Sequence, residues 1–252
     1  MRWAMKKRRI RRTLLCLLLS VVCILSIVMV WREYAHRGKD QQTFEDLASM
    51  VTLPEEMTVA TLEATEALQR PAPDTGNDVL EETTTATEPV VRKRDLASIM
   101  ELNSDCVGWL YIEGTAVDYP VMHTPNQPQK YLRKNFWKEY STSGVPFLDH
   151  RCSLVSTDLI IYGHNMKNGS MFAALKKYLN DPFLEDHRTI ELETAQGLRY
   201  FTVTEVVKTD IYDERYHHID MADGIQHLIL STCHGSSKTG RLLVIAVETT
   251  PN

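Results

Sequence analysis

Cysteine is scarce in this 252-residue chain: there are five, and no two of them form a CxxC pair. His, Cys, Asp and Glu do not recur at metal-ligand spacing either, so a zinc site is not expected. There is no glycine-rich phosphate loop, which removes the usual cradle for a nucleotide. No segment repeats, so the chain is not a solenoid or a propeller. Neither a cofactor nor a metal is implied by anything that remains. Charge is missing from one stretch altogether: Thr13 to Trp31 contains nineteen residues and no charged one. Acidic residues are missing from another, since residues 1–12 hold seven basic side chains and no carboxylate. With seven positive charges at the tip and −5 over the whole chain, the rest of the molecule is twelve charges negative.

These two gaps adjoin, and together they describe a membrane anchor. At about 1.5 Å per residue, the uncharged run nearly spans a hydrocarbon core of roughly 30 Å. Trp31 and Tyr34 suit the interfacial belt. The basic tip should stay in the cytoplasm, which puts the C-terminal body outside. Nucleic acid is a poor partner for that tip, because apolar sequence follows it directly. A cleaved signal peptide is the competing reading; against it, the run is long for a signal core and no small-x-small site precedes Arg32. Cys16 and Cys23 fall inside the run and read as small apolar residues in lipid.

Beyond it, Glu33–Val51 reads as a short helical continuation, with Phe44, Leu47 and Met50 or Val51 at helical spacing. Thr52 to Pro89 is rich in Thr, Glu, Ala and Pro and has almost nothing to bury, so an extended, mobile tether is expected. The division that follows is a basic cytoplasmic tip (1–12), a transmembrane signal-anchor (13–31), a juxtamembrane segment and acidic tether (32–94), and an extracellular body (95–252). A chain starting near Arg92 should then keep full activity on soluble peptides.

The body reads as mainly β. Gly108–Ile112 and Ala116–Met122 are strands around a Glu113–Gly114 turn; Val145–Leu148, Leu159–Tyr162, Thr189–Glu193 and Leu198–Val207 are further strands. Asp95–Leu102 reads as a helix, as does Ser170–Leu179 with Met171, Leu175 and Tyr178 on one face. Gln129–Tyr140 is ambiguous. Many short strands with scattered helices point to a barrel or sandwich rather than to alternating strands and helices.

Two stretches carry chemistry. Leu228–Val247 reads LILSTCHGSSKTGRLLVIAV, two β-branched runs around a polar loop, with Cys233 ending the first and Arg241 opening the second. If the runs pair antiparallel, a thiol and a guanidinium become neighbours at one sheet edge. A nearby cation favours the reactive thiolate and can stabilise an oxyanion. His164 follows the strand Leu159–Tyr162 and a glycine, in a polar turn from which it can reach a neighbouring strand end. Cys with His is the minimal set for thiol nucleophilic catalysis. The other candidates are weaker. His234 adjoins Cys233, but successive strand residues face opposite ways. His187 and His227 lack a partner pattern, and His217 and His218 sit in a polar loop. Cys106 and Cys152 are expected to be unlinked thiols.

The blocks YGHNM, NGSMF, KKYL, LSTC and the Arg that opens the last strand, in that order, resemble the sortase family, and class B most closely. GWLYIEGTAVDYPVM (Gly108–Met122), Tyr131–Leu132 and GVPFLD (Gly144–Asp149) agree with that class. The resemblance implies a closed eight-stranded β-barrel with a few short helices, preceded here by the transmembrane helix and flexible tether. It implies a membrane-anchored cysteine transpeptidase of Gram-positive surfaces. Cys233 would form a thioacyl-enzyme, His164 would be general acid and base, and Arg241 would stabilise the oxyanion or orient the substrate. Ser231 and Thr232 would line the substrate groove. The partners implied are surface proteins or pilins with an Asn-Pro-x-Thr-like sorting motif, and an amine of peptidoglycan or of a pilin lysine. Two features depart from the class: Ile229 stands where the family often has Thr, and Lys208–His227 is too short for the long helical insertion found there. A hydrolytic cysteine protease and a non-catalytic binding module on the same scaffold are the alternatives.

Overall fold

A computed structural model of the chain describes residues 2–52, 94–216 and 224–249. It divides into two compact units, the first ending at Thr43 and the second beginning at Phe44. Helix α1 (Arg2–Val51) runs through that division. In the first unit, Leu15–Arg32 has a mean hydropathy of 2.5 and none of it is buried, so it is long and apolar enough to cross a membrane. Its two cysteines are exposed with the rest.

The second unit is a closed barrel of eight strands in the order β1–β2–β3–β4–β7–β8–β6–β5. These are β1 (Cys106–Tyr111), β2 (Asp118–Met122), β3 (Phe147–Leu148), β4 (Asp158–Tyr162), β5 (Thr189–Thr194), β6 (Gly197–Asp210), β7 (His227–Cys233) and β8 (Gly240–Thr249). Closure removes the free edges that an open sheet would expose. Each strand expected from the sequence is present. The strand around Val145 shrinks to two residues, because Pro146 has no N–H to give the ladder. Neighbouring strands are antiparallel except for β2–β3 and β4–β7. The parallel β4–β7 pair proves decisive below.

The helices are short. α2 (Leu96–Leu102) starts at Asp95, whose carboxylate accepts from the Ser98 N–H. The expected helix at Ser170–Leu179 is a 3₁₀ helix over Phe172–Leu179, with Met171, Leu175 and Tyr178 buried as their spacing predicts. A further helix, α3 (Asp181–Asp186), was not expected. Its signal was there to read: Asn180 caps the Phe183 N–H, and Pro182 sits in the first turn. The ambiguous Gln129–Tyr140 stretch holds a 3₁₀ turn, Lys130–Leu132, and an antiparallel bridge between Lys134 and Tyr140.

The end of α1 belongs to the barrel. Phe44, Leu47 and Val51 are buried in the same core cluster as Trp109, Tyr119 and Phe172. Met50, the alternative to Val51, is exposed. The compact unit that holds the barrel therefore begins at Phe44. The tether expected over Thr52–Pro89 lies almost wholly outside the described residues, but its flanks meet. Thr52 bridges Arg94, and the Asp95 N–H donates to the Val51 carbonyl at 2.7 Å. Arg94 is pinned in turn: its N–H donates to Glu193 at 3.1 Å, and its guanidinium pairs with Asp118 at 3.3 Å and Glu193 at 3.6 Å. Glu193 is fully buried, and a buried carboxylate is tolerable only with such partners. The described chain thus leaves and re-enters at one point.

Candidate active site

Three adjacent strands deliver the three expected residues to one end of the barrel. β7 and β8 pair antiparallel with Cys233 opposite Arg241, as the hairpin pattern predicts. β4 runs parallel to β7 on its other side, with Asp158 opposite His227 and Tyr162 opposite Ser231. Continued two residues past the end of β4, that register brings His164 level with Cys233, the last residue of β7. The contacts agree. The Gly163 N–H donates to the Ser231 carbonyl at 3.1 Å, and the Thr232 hydroxyl donates to the Gly163 carbonyl at 2.8 Å. Gly163 has a packing reason to be glycine: a Cβ there would stand 2.5 Å from the Phe172 ring.

A cleft of about 380 Å³ opens over this row, and His164, Cys233, Arg241, Ser231 and Thr232 all line it. His234 is not among the lining residues, in keeping with strand alternation. Cys233 is exposed, whereas Cys106 and Cys152 are buried free thiols. Burial pushes the Cys106 thiol up to about 12 and that of Cys152 to about 11, which leaves both inert. The Arg241 guanidinium donates through Nη1 to the carbonyls of Gly240 at 2.9 Å and Lys238 at 3.2 Å, so it is held at its base by its own loop.

The half-buried His164 ring has its Nε2 2.9 Å from the Leu132 carbonyl. A carbonyl can only accept, so Nε2 carries the hydrogen, and in the neutral ring Nδ1 is left as the base. Burial lowers the His164 pKa below its ordinary value; the Leu132 carbonyl opposes that and nearby Arg133 adds to it. Leu132 is held in place by close packing: Gly144 has φ 61°, and a Cβ there would meet the Tyr131 and Leu132 carbonyls at 2.5 and 2.8 Å. The Val145 N–H also donates to the Tyr131 carbonyl at 3.1 Å.

Sequence reasoning missed several residues around the cleft. Asn165 donates from Nδ2 to the Cys233 carbonyl at 2.8 Å, tying the histidine turn to the cysteine strand. Phe147, Tyr162 and Tyr216 form an aromatic wall, with Tyr162 stacked on Tyr216 at 6.2 Å. The Tyr216 hydroxyl is 2.7 Å from the Ser231 hydroxyl. Tyr162 donates to Asp149 at 2.7 Å, and Arg151 donates to both oxygens of the same carboxylate at 2.9 Å. Burial pushes the Asp149 carboxyl up, but Arg151 and Tyr162 outweigh it and bring it down to about 2. Phe147, Asp149, Tyr162 and Tyr216 line the cleft, and Asn165 and Arg151 each lie beside a lining residue. Asn165 sits inside the YGHNM block, so its position was visible and its bond was not.

Two other histidines have partners away from the cleft. His187 stacks on Phe183 at 4.0 Å. His227 does have a partner, Asp158 at 3.1 Å, at the foot of the parallel pair. His217 and His218 lie outside the described residues. Among the described residues no cluster of His, Cys, Asp and Glu could hold a metal.

The chain resembles known proteins over this same region. A family profile described as Sortase domain matches residues 110–249. Sortase B of Listeria monocytogenes is 41% identical over 123 residues, which are 47% of this chain and 49% of that protein. The matched stretch thus spans about half the length of that relative. Among solved structures, a Staphylococcus aureus sortase B–substrate complex superposes with a TM-score of 0.57 at 27% identity, covering 62% of this chain and 85% of that one. Clostridium perfringens sortase B superposes with a TM-score of 0.55 at 26% identity, covering 62% of this chain and all of that one.

Proposed function

We propose, since this chain belongs to the sortase family, that it is a cysteine transpeptidase whose site is the cleft between the ends of β4, β7 and β8. The observation that carries the proposal is the single row of His164, Cys233 and Arg241 along one rim, lining one cleft.

The chemistry follows from the geometry. Nδ1 of His164 takes the Cys233 proton, and the thiolate attacks the carbonyl of the substrate peptide. The carbonyl π electrons move to oxygen, and the Arg241 guanidinium faces that oxyanion. The imidazolium then gives its proton to the leaving amine as the C–N bond breaks, which leaves a thioacyl-enzyme on Cys233. An acceptor amine attacks in turn, His164 removes its proton, and the thiolate departs. Ser231 and Thr232 stand at the floor of the groove, where the substrate backbone passes. The substrate we infer is an Asn-Pro-x-Thr-like sorting motif, and the acceptor an amine of peptidoglycan or of a pilin lysine. The apolar Leu15–Arg32 helix would anchor the enzyme, with the basic tip cytoplasmic and the barrel outside.

Mass spectrometry of the full chain in detergent micelles, with a library of sorting-type peptides and an amine, tests the reaction. The expected result is a thioacyl adduct on Cys233 and a product that requires the amine. Acyl transfer to water alone, with amine present, would make the protein a hydrolytic protease instead. Labelling of Cys233 on intact cells by a membrane-impermeant thiol reagent tests the orientation; protection of that thiol would reverse it.

A further inference from the structure

His164 opens a loop that closes on itself eight residues later. The Phe172 N–H donates to the His164 carbonyl at 2.8 Å, and Asn165 bridges Met171. Met171 closes the loop in a strained conformation, with φ 55° and ψ −136°. A non-glycine residue in such a region costs on the order of 1–3 kcal/mol and persists only where its surroundings hold it there. One polar group outside the loop holds it. The Met171 N–H donates to the Tyr119 hydroxyl at 3.1 Å, in a place where Tyr119 and Met171 are each 1% exposed. Tyr119 stands on β2, away from the strands that carry the catalytic row. Its ring is fixed on the other side by Phe44 of α1, edge-on at 5.0 Å and 72°.

We propose that Tyr119 is a positioning residue for His164: its hydroxyl holds the strained Met171 amide, and through the Phe172–His164 closure it fixes the backbone from which the imidazole reaches Leu132. The ring is then held at one end by the Leu132 carbonyl and at the other by Tyr119. An imidazole displaced by a fraction of an ångström would miss both the thiol and the leaving amine. Removing the hydroxyl also leaves a buried N–H without its acceptor, which the loop can relieve only by moving Met171 toward water. This rests on the transpeptidase reading above for its kinetic consequence, but its structural consequence stands apart from that reading.

Tyr119→Phe isolates the hydroxyl, because the ring that packs on Phe44 remains. Two measurements on the full chain in micelles decide the matter: titration of the His164 ring by NMR, and kcat and KM with an Asn-Pro-x-Thr peptide plus an amine. The charged and titratable groups near the ring are Arg133 and, lining the same cleft, Asp149, His150, Cys233 and Arg241, and none of them is altered. In the native chain His164 should titrate below its ordinary value. In Tyr119→Phe the loop opens to water, the titration moves up toward the ordinary histidine value, and kcat falls by about tenfold or more with KM little changed. Leu47→Ala removes packing from the same helix end and leaves the Tyr119 hydroxyl in place. It should lower the unfolding midpoint and leave the His164 titration in place. A Tyr119→Phe chain whose His164 titrates as in the native protein overturns the proposal, as does a moved titration with an unchanged kcat in an active enzyme. If the native chain transfers no peptide at all, the transpeptidase reading fails while the titration still decides the role of Tyr119.

Discussion

The row proposed to be catalytic is assembled by two different strand pairings. β7 and β8 are joined by a short loop, and their register puts Cys233 beside Arg241. β4 and β7 are parallel, with some seventy residues of chain between paired positions, as from Asp158 to His227. The first pairing costs little loop-closure entropy and is written into one continuous stretch. The second must be held by the rest of the barrel, and the molecule places extra bonds along it. Asp158 meets His227 at its foot, Gly163 and Thr232 bond across its upper end, and Asn165 reaches the Cys233 carbonyl beyond it. A site built half from a local hairpin and half from a distant parallel strand is only as well aligned as its distant half.

The sharpest break in this arrangement removes one residue from each pairing. Cys233→Ala should abolish the thioacyl adduct in mass spectrometry, because the other body thiols are buried. His164→Ala should lower turnover of a fluorogenic sorting peptide by about 10²–10⁴-fold. A surviving adduct in Cys233→Ala would move the nucleophile elsewhere. Next comes the local partner. Arg241→Lys should lose on the order of 10² in kcat despite keeping its charge, since an ammonium cannot reproduce the guanidinium fork. Near-native kcat in that variant would reduce Arg241 to a general positive charge.

Two deletions test what holds the distant half. A chain starting near Arg92 loses Phe44, Leu47 and Val51, each worth about 1.5–3 kcal/mol of burial, and its unfolding midpoint should fall steeply. Replacing residues 53–93 by a short turn should leave the midpoint close to native, because Thr52 and Arg94 already meet. Equal midpoints for the two deletions would show that the helix end contributes nothing to the barrel.

A smaller effect comes from acid. Asp149 receives the Tyr162 hydroxyl at the end of β4, and its pKa is depressed to about 2 from 3.8. A depressed carboxylate pKa stabilises the fold above the unfolded value, and that stability is lost as pH falls from about 4 to 2. The share is about 2 kcal/mol. Arg151→Ala should flatten this part of the stability–pH curve in denaturant titrations; an unchanged curve would assign the acid transition to other groups. Smallest of all, His234→Ala should leave peptide turnover unchanged, because His234 does not line the cleft. A large loss there, with His164→Ala active, would exchange their roles.

Much of this was legible because the relevant signals are local. Alternation and β-branched runs located every strand, and the Cys233–Arg241 neighbourhood followed from a hairpin whose two halves adjoin in sequence. Phe44, Leu47 and Val51 showed their helical spacing, but nothing in the spacing said which surface would receive them. Asn165 and Tyr119 read as an ordinary turn residue and an ordinary strand aromatic. Their importance lies in bonds to Cys233 and Met171, 68 and 52 residues away.

The sequence by itself determined the apolar helix, the strands, the order of the reactive residues and the family they belong to. Each of these is a property of composition or of residues a few positions apart, where backbone period and side-chain polarity act directly. Tertiary structure alone decided that β4 lies beside β7, that Nε2 of His164 meets the Leu132 carbonyl, that two of the three body cysteines are buried, and that residues 52 and 94 touch. Those outcomes depend on burial and on hydrogen-bond partners supplied from distant parts of the chain. A side chain's environment exists only once the barrel has closed around it.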